Sequence, residues 1–337
     1  MPTDNTGPIH LSAIGTALGE LALPIEGLRD EPGGRDFVPL FLQDGFKLYR
    51  KTERPASALL ARAVQASLDA GNLDPAAIDA VVICAENFEE FAGPDVNGAL
   101  LGVPARRGIA AALSGLGISA AYLGGWWSAG CANFVSGISL ARGMVDQGTF
   151  DTVLVVTVDS NRRLVERIMN NGEAVYSDGA SCCVVSRQIH GAQGYRIAGA
   201  ALAANVSLAA IDSAKNAFAY LLSLNRAIAT ARPGVERRLG RPLNSYGRVV
   251  APNLRRRSLS ILAESFQLPL SRFEMPLKDR VAHVAGADHL LALECELHGE
   301  ADPDPTLLLF NPGPFAWNFM ELVRTHRSST PPGSNHA

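Results

Sequence analysis

The sequence predicts an α/β fold with buried sheets, and three observations predict it. Several short runs are apolar at nearly every position, among them AVVIC at 80–84 and LVVTV at 154–158. Runs this short and this rich in β-branched residues fit strands covered on both sides, where no polar alternation is needed. These runs alternate with stretches whose apolar residues recur at helical spacing. The order of strand and helix signals is then followed loosely a second time, so the chain divides into two pseudo-repeated halves.

The first half, 1–187, begins its pattern at Ile9 and offers a helix over 56–70 (ASALLARAVQASLDA) and a strand over 80–84. A helix follows Cys131, where Phe134, Val135, Ile138, Leu140, Ala141 and Val145 recur at helical spacing. Strands near 154–158 and 182–185 close this half. The second half, 188–327, offers a strand over 197–203, a helix near 213–229, a strand at 248–250 and helices over 254–266 and 289–297. Its last strand is expected at 307–310. The tail 328–337 (SSTPPGSNHA) has no apolar residue before its final alanine and reads as disordered. The segment 86–125, rich in Gly, Ala and Pro with a basic pair at Arg106 and Arg107, fits no single element.

Composition narrows the class. The chain has 337 residues, 47% hydrophobic and 19% charged, which is enough for a large core. A net charge of −3 with no lysine-rich run argues against nucleic acid as the main partner. Arg255, Arg256 and Arg257 form a short cluster that either meets a phosphate or lies on a solvated helix face. Cysteines 84, 131, 182, 183 and 295 are odd in number and lack metal-site spacing, so neither a disulfide framework nor a zinc ribbon is expected. His283, His289, Cys295 and His298 match no common ligand pattern, and no metal is expected. A polar N-terminus and the lack of a long apolar run point to a cytoplasmic protein without a membrane span.

Chemistry concentrates at 128–137, SAGCANFVSG. Small residues before Cys131 and an amphipathic helix after it put the thiol in the first helical turn, where free amides and the helix dipole are expected to lower its pKa. Gly130 and Ala132 leave room beside it for an acyl group. Packing as a small buried hydrophobe is the other reading of such a cysteine.

The sequence from Trp127 to Val185, with its small-x-Cys-x-x-Phe helix, Val-rich strand and Asp-Gly-Ala turn before a second strand, resembles β-ketoacyl-ACP synthase III and its relatives in the thiolase superfamily. Weaker echoes follow in the same order at VAPNLR (250–255), AHVAGADHLLAL (282–293) and NPGPFAW (311–317). The resemblance implies a thiolase-like fold of two related halves in an αβαβα layering, a homodimer, and an acyl-carrier protein or coenzyme A thioester as acyl donor, with no permanently bound cofactor. It also implies that the region 86–125 covers the acyl pocket, with Trp126 and Trp127 either lining it or packing in the core.

Two departures from the family pattern redirect the expected reaction. Where the family has a histidine three residues before an asparagine, this chain has Val250 and then Asn253; where a second asparagine usually stands, it has His283. Condensation needs two neutral donors on a malonyl thioester oxygen, and only the rearranged pair Asn253 and His283 remains. Asp288, five residues after His283, either caps the helix that follows or fixes the histidine as a base. The second arrangement resembles a divergent acyltransferase branch of antibiotic and polyketide biosynthesis. The catalytic residues expected are therefore Cys131, His283, Asp288 and Asn253, with the backbone N–H groups of Cys131 and Gly313 facing the oxyanion. The expected reaction moves an acyl group through a Cys131 thioester to a hydroxyl, amine or carrier thiol. A decarboxylating condensing enzyme, or the degenerate subunit of a heterodimeric synthase, is the alternative.

Overall fold

A computed structural model describes residues 7–86, 91, 102–126, 129–161, 166–169, 172–213, 215–299 and 304–327. Trp127, most of the 86–101 stretch and the tail expected to be disordered lie outside the described residues.

Among the described residues, twelve strands and eight α-helices follow one another along the chain: β1 (His10–Leu18), β2 (Leu21–Pro24), α1 (Gly34–Gln43), β3 (Leu48–Lys51), α2 (Ala56–Gly71), β4 (Ala80–Cys84), α3 (Gly102–Gly115), β5 (Tyr122–Trp126), α4 (Asn133–Asp146), β6 (Thr152–Asp159), β7 (Gly179–Ser186), β8 (Gln193–Ala204), α5 (Ala217–Leu239), β9 (Val249–Val250), α6 (Arg256–Phe266), β10 (Phe273–Glu274), α7 (Lys278–Val281), α8 (Ala287–His298), β11 (Thr306–Pro312) and β12 (Ala316–His326). Ten strands join in the order β10-β9-β11-β12-β8-β1-β7-β6-β4-β5, and β2 pairs with β3 separately.

That order contains the pseudo-repeat. Within each half the second strand runs parallel to the third and the fourth, β4 to β5 and β6, β9 to β10 and β11. The fifth strand then runs antiparallel to the fourth and to the first, β7 to β6 and β1, β12 to β11 and β8. A short antiparallel pairing of His10–Ser12 with Gly194–Arg196 joins the halves.

Period-2 side-chain alternation builds the layers. Val82 and Cys84 of β4, Val153 and Val155 of β6, and Cys183 and Val185 of β7 pack into one core with α4 and α8, and the same core takes Leu307, Leu309, Met320 and Leu322 from β11 and β12. Their neighbours Val81, Ile83, Leu154, Val156, Cys182 and Val184 face outward onto α2 and α3. Leu308, Phe310, Trp317 and Phe319 face the opposite way, onto α5 and α6. Helices α4 and α8 are thus sandwiched between the two half-sheets, with a helical layer outside each: the αβαβα arrangement of a thiolase-like fold. Because the central strands are covered on both faces, they read as continuous apolar runs.

Local signals account for most elements. In α2, Leu59, Leu60, Ala63, Val64, Ser67 and Leu68 form one buried stripe, and Asn72 ends the helix at φ 47°. Three expectations are corrected. The helix expected to end near 229 continues to Leu239 through Pro233. The strand over Thr306–Pro312 is not the last: the Pro-Gly-Pro turn forms a hairpin that returns as β12, pairing Pro312 with Trp317 and Thr306 with Val323. Asp288 lies inside the first turn of α8 instead of preceding it. No helix among the described residues is long and apolar enough to cross a membrane.

Candidate active site

The sandwich brings the N-terminal ends of its two central helices together. Cys131 occupies a single 3-10 turn, Gly130–Ala132, that leads directly into α4. His283 lies just ahead of α8, and Asp288 in its first turn. Cys131 Sγ is 3.2 Å from His283 Nε2, and His283 Nδ1 is 2.6 Å from Asp288 Oδ2. Cys131 and the neighbouring pair His283 and Asp288, 152 residues further along from the cysteine to the histidine, form one buried relay: Cys131 is 8% exposed, His283 0% and Asp288 3%.

Backbone contacts set each member. The His283 N–H donates to Val175 O and its carbonyl accepts from the Ser177 N–H, which pins the histidine backbone on both sides. Ala282 and Ala285 have φ of 51° and 46°. Strain of this kind typically costs about 1–3 kcal/mol per residue and persists only where surrounding contacts impose it. Gly286 permits the close approach of α8 to α4, since a Cβ there would lie 2.7 Å from Thr157 Oγ1 and 3.0 Å from Phe134 Cβ.

Asp288 does not cap its own helix. Oδ2 accepts from the Asn253 N–H at 2.7 Å as well as from His283, and Oδ1 accepts from the Val284 N–H at 2.8 Å and from Asn253 Nδ2 at 3.1 Å. A buried carboxyl group that meets four donors holds the imidazole in a fixed orientation, with Nε2 aimed at the thiol.

Two expected site residues have other roles. Asn253 donates its side-chain amide to Ala282 O at 2.7 Å and to Asp288, so it braces the carboxylate and turns away from the cavity. The Gly313 N–H donates to Ala316 O at 2.7 Å within the β11–β12 hairpin, which removes it as an oxyanion donor. What position 313 needs is close approach: a Cβ there would lie 2.4 Å from Ala129 O and 3.1 Å from Ala132 Cβ, against the turn that carries Cys131.

Several residues that hold the site carry no local sequence signal. Asn311 donates to Cys131 O at 2.7 Å and accepts from the Val135 N–H at 3.1 Å, so it supports the turn and satisfies an amide at the start of α4. Asn318 donates to Ala132 O at 2.8 Å. Asn133 accepts from the Ala129 N–H at 2.9 Å. Glu86, at the end of β4, has Oε2 3.7 Å from Cys131 Sγ. A glutamate after an apolar strand looks like an ordinary surface residue, and only the fold turns it inward.

Cys131, His283, Glu86, Glu173 and Tyr176 line one cavity of about 270 Å³, whose remaining walls include Tyr220, Leu224, Leu254, Ile261, Leu262 and Pro314. This is slightly below the range of roughly 300–1,000 Å³ common for small-molecule sites. Polar groups gather beside the thiol, and apolar side chains make much of the remaining wall.

The electrostatics differ from the sequence expectation. Burial pushes the Cys131 thiol well above its ordinary value, and Glu86, Asp159 and Asp288 push it further. Burial acts to lower the His283 pKa, but Asp288, Glu86 and Glu173 reverse this and hold it above the usual histidine value. Burial raises Glu86, opposed by His283 and the Cys131 contact. Burial and neighbouring carboxylates push Tyr176 up, so its hydroxyl stays protonated.

His289, on the same helix, is a core residue: its Nε2 pairs with Phe310 O at 2.8 Å and its ring stacks on Phe134. No group of three His, Cys, Asp or Glu among the described residues could hold a metal. Asp178 is structural, pairing with both Arg167 guanidinium nitrogens and accepting the Thr52 and Asn161 N–H groups. Arg255 pairs with Asp44 at 3.0 Å.

Residues 127–206 match the family model of 3-oxoacyl-[acyl-carrier-protein] synthase III. Among solved structures, FabH, the 3-oxoacyl-(acyl carrier protein) synthase III of Pseudomonas aeruginosa PAO1, aligns over 94% of this chain and 98% of its own at 19% identity and TM-score 0.68. ChlB3, described as an acyltransferase, covers 94% of this chain and 97% of its own at 18% identity and TM-score 0.71. OleA of Xanthomonas campestris, as a point variant bound with cerulenin, covers 94% and 96% at 14% identity and TM-score 0.72. No curated protein matches the chain. The fold is that of the synthase III-like proteins of the thiolase superfamily, as the sequence resemblance implied.

Proposed function

We propose that this chain, with its synthase III-type thiolase fold, is an acyltransferase that carries its acyl group on Cys131. The observation that carries the reading is the buried relay of Cys131, His283 and Asp288 opening onto a cavity with apolar walls. In the first half-reaction the thiol proton passes to His283 and sulfur attacks the thioester carbonyl of an acyl-carrier protein or acyl-coenzyme A. The tetrahedral intermediate collapses, the carbon–sulfur bond to the carrier breaks, and the carrier thiol leaves with a proton. In the second, a hydroxyl, amine or carrier thiol attacks the Cys131 thioester and gives up its proton, and the cysteine thiol is restored. Asp288 stabilises the imidazolium that forms in each half. The Cys131 N–H is our oxyanion donor; Gly313 is not, because its N–H is already engaged.

The engagement of Asn253 by Ala282 and Asp288 favours transfer over decarboxylative condensation, which needs neutral donors facing a malonyl oxygen. An intact relay favours an active enzyme over a degenerate subunit. We place the reaction in secondary metabolism and in the cytoplasm, on a homodimer formed where the sheet ends at β5, whose Tyr122 and Leu123 are exposed.

Intact mass of the protein after incubation with a panel of acyl-coenzyme A and acyl-carrier thioesters tests the reading, with Cys131→Ala and His283→Ala alongside. The expected result is an acyl adduct that is absent from Cys131→Ala, and that an acceptor discharges from wild type but not from His283→Ala. No adduct with any donor, or carbon dioxide release from a malonyl carrier with chain extension, overturns it.

A further inference from the structure

The relay accounts for one proton carrier beside Cys131, yet two groups bracket its sulfur. Sγ is 3.2 Å from His283 Nε2 and 3.7 Å from Glu86 Oε2, and all three line the same cavity. The Glu86 backbone is held there: its N–H donates to Asp159 Oδ1 at 2.6 Å, at the end of β6. A Cβ at Gly130 would lie 3.2 Å from Pro314 Cδ and 3.4 Å from Glu86 Oε1, so the carboxyl group sits directly against the turn that carries Cys131.

A transferase of this kind has a proton problem in each half-reaction. One group must take a proton from the attacking nucleophile while the departing sulfur needs one, and a lone histidine must do these jobs in turn. We propose that Glu86 is a second catalytic acid–base group which, together with His283, holds one mobile proton. This rests on the acyl-transfer reading above. In acylation the Cys131 proton goes to the pair, the bond from sulfur to the acyl carbon forms, the bond to the carrier sulfur breaks, and the carrier thiolate takes a proton from the Glu86 carboxyl. The pair is left with one proton, on His283. In transfer, the acceptor's proton goes to the Glu86 carboxylate as the acceptor bonds to the acyl carbon. The Cys131 sulfur leaves with the proton of the His283 imidazolium, and the pair again holds one proton. No oxidant or further reactant is required.

The other ionisable groups facing the pair are Tyr176, Glu173, Asp159 and Asp288. Asp288 is committed to His283 Nδ1 and to Asn253 and Val284, and Tyr176 stays protonated, so neither substitutes for Glu86.

The test is the pH profile of single-turnover acyl discharge from Cys131 in wild type, Glu86→Gln and Glu86→Asp. A pair that must hold one proton gives wild type a bell-shaped profile, lost at low pH when both groups are protonated and at high pH when neither is. In Glu86→Gln the histidine acts alone as base, so the alkaline limb disappears and the rate at the wild-type optimum falls about 10²-fold, the lower end of the usual contribution of one acid–base group. A glutamine variant that keeps the bell overturns the proposal, whether its rate is unchanged or merely lower, because a positioning role alone would leave the profile's shape intact. Should Glu86→Gln not fold, the alkaline limb is read in Glu86→Asp, where it must shift in pH; a limb at the wild-type position overturns the proposal. Failure of wild type to form an adduct sinks the transferase reading itself, whereas a working wild type with an unaltered Glu86→Gln sinks only the role of Glu86.

Discussion

Replacing Asp288 by asparagine keeps the side chain's shape and reverses its chemistry. Both carboxylate oxygens face only donors: Oδ2 meets His283 Nδ1 and the Asn253 N–H, while Oδ1 meets the Val284 N–H and Asn253 Nδ2. An amide must turn its NH2 group towards one of these pairs. If it faces His283, the imidazole has to present a bare Nδ1 and carry its proton on Nε2, which then points a donor at the Cys131 sulfur and cannot take the thiol proton. If it faces Val284 and Asn253, two buried donors lose their acceptor at about 1–3 kcal/mol each. In either orientation the imidazolium loses its counter-charge. The analogous change in a serine-protease triad lowers kcat about 10⁴-fold, equivalent to about 5 kcal/mol of barrier at 1.36 kcal/mol per tenfold. For Asp288→Asn the expected outcome is acyl formation and discharge slowed about 10³–10⁴-fold, with folding stability reduced by about 2–4 kcal/mol. Time-resolved intact mass measures the rates, denaturant unfolding measures the stability, and nitrogen chemical shifts of His283 report its tautomer. Rates within tenfold of wild type, with the proton still on Nδ1, would refute the relay.

Gly313→Ala drives a methyl group into Ala129 O at 2.4 Å and against Ala132, so the hairpin and the turn that carries Cys131 must part. Overpacking of this kind typically costs about 1–3 kcal/mol; we expect that loss in denaturant unfolding together with slower acylation of Cys131, and a fully stable, fully active variant would show that the close approach is dispensable. The Cys131 thiol is pushed up by burial, Glu86, Asp159 and Asp288. Its thiolate fraction in the free protein therefore keeps growing above the ordinary thiol value of about 8.5, and alkylation by iodoacetamide should be slow at neutral pH and still be climbing where an ordinary thiol has levelled off. A rate that reaches its plateau near neutrality would show instead that the helix N-terminus prevails.

The α/β class, the Cys131 nucleophile candidate and the residues that meet it were legible in the sequence because each leaves a local or ordered signal. Helical spacing identifies α2 and α4, uninterrupted apolar runs identify β4 and β6, and the departures at Val250 and His283 are read by position in the motif series. The sequence could not show that Cys131 and His283, 152 residues apart, lie within 3.2 Å, because their meeting depends on both central helices being sandwiched between two half-sheets. Nor could it show which polar groups were already engaged. Asn253 and Gly313 were natural candidates for substrate-facing donors until folding directed the one to Ala282 and Asp288 and the other to Ala316. Hydrogen-bond commitments are settled between segments distant in sequence, and so is the charge around a thiol: the helix N-terminus beside Cys131 is local, whereas the carboxylates that push its pKa up arrive from just after β4, from β6 and from α8. Glu86 is the clearest instance, an inconspicuous residue after a strand that only the tertiary structure turns from water towards the Cys131 sulfur.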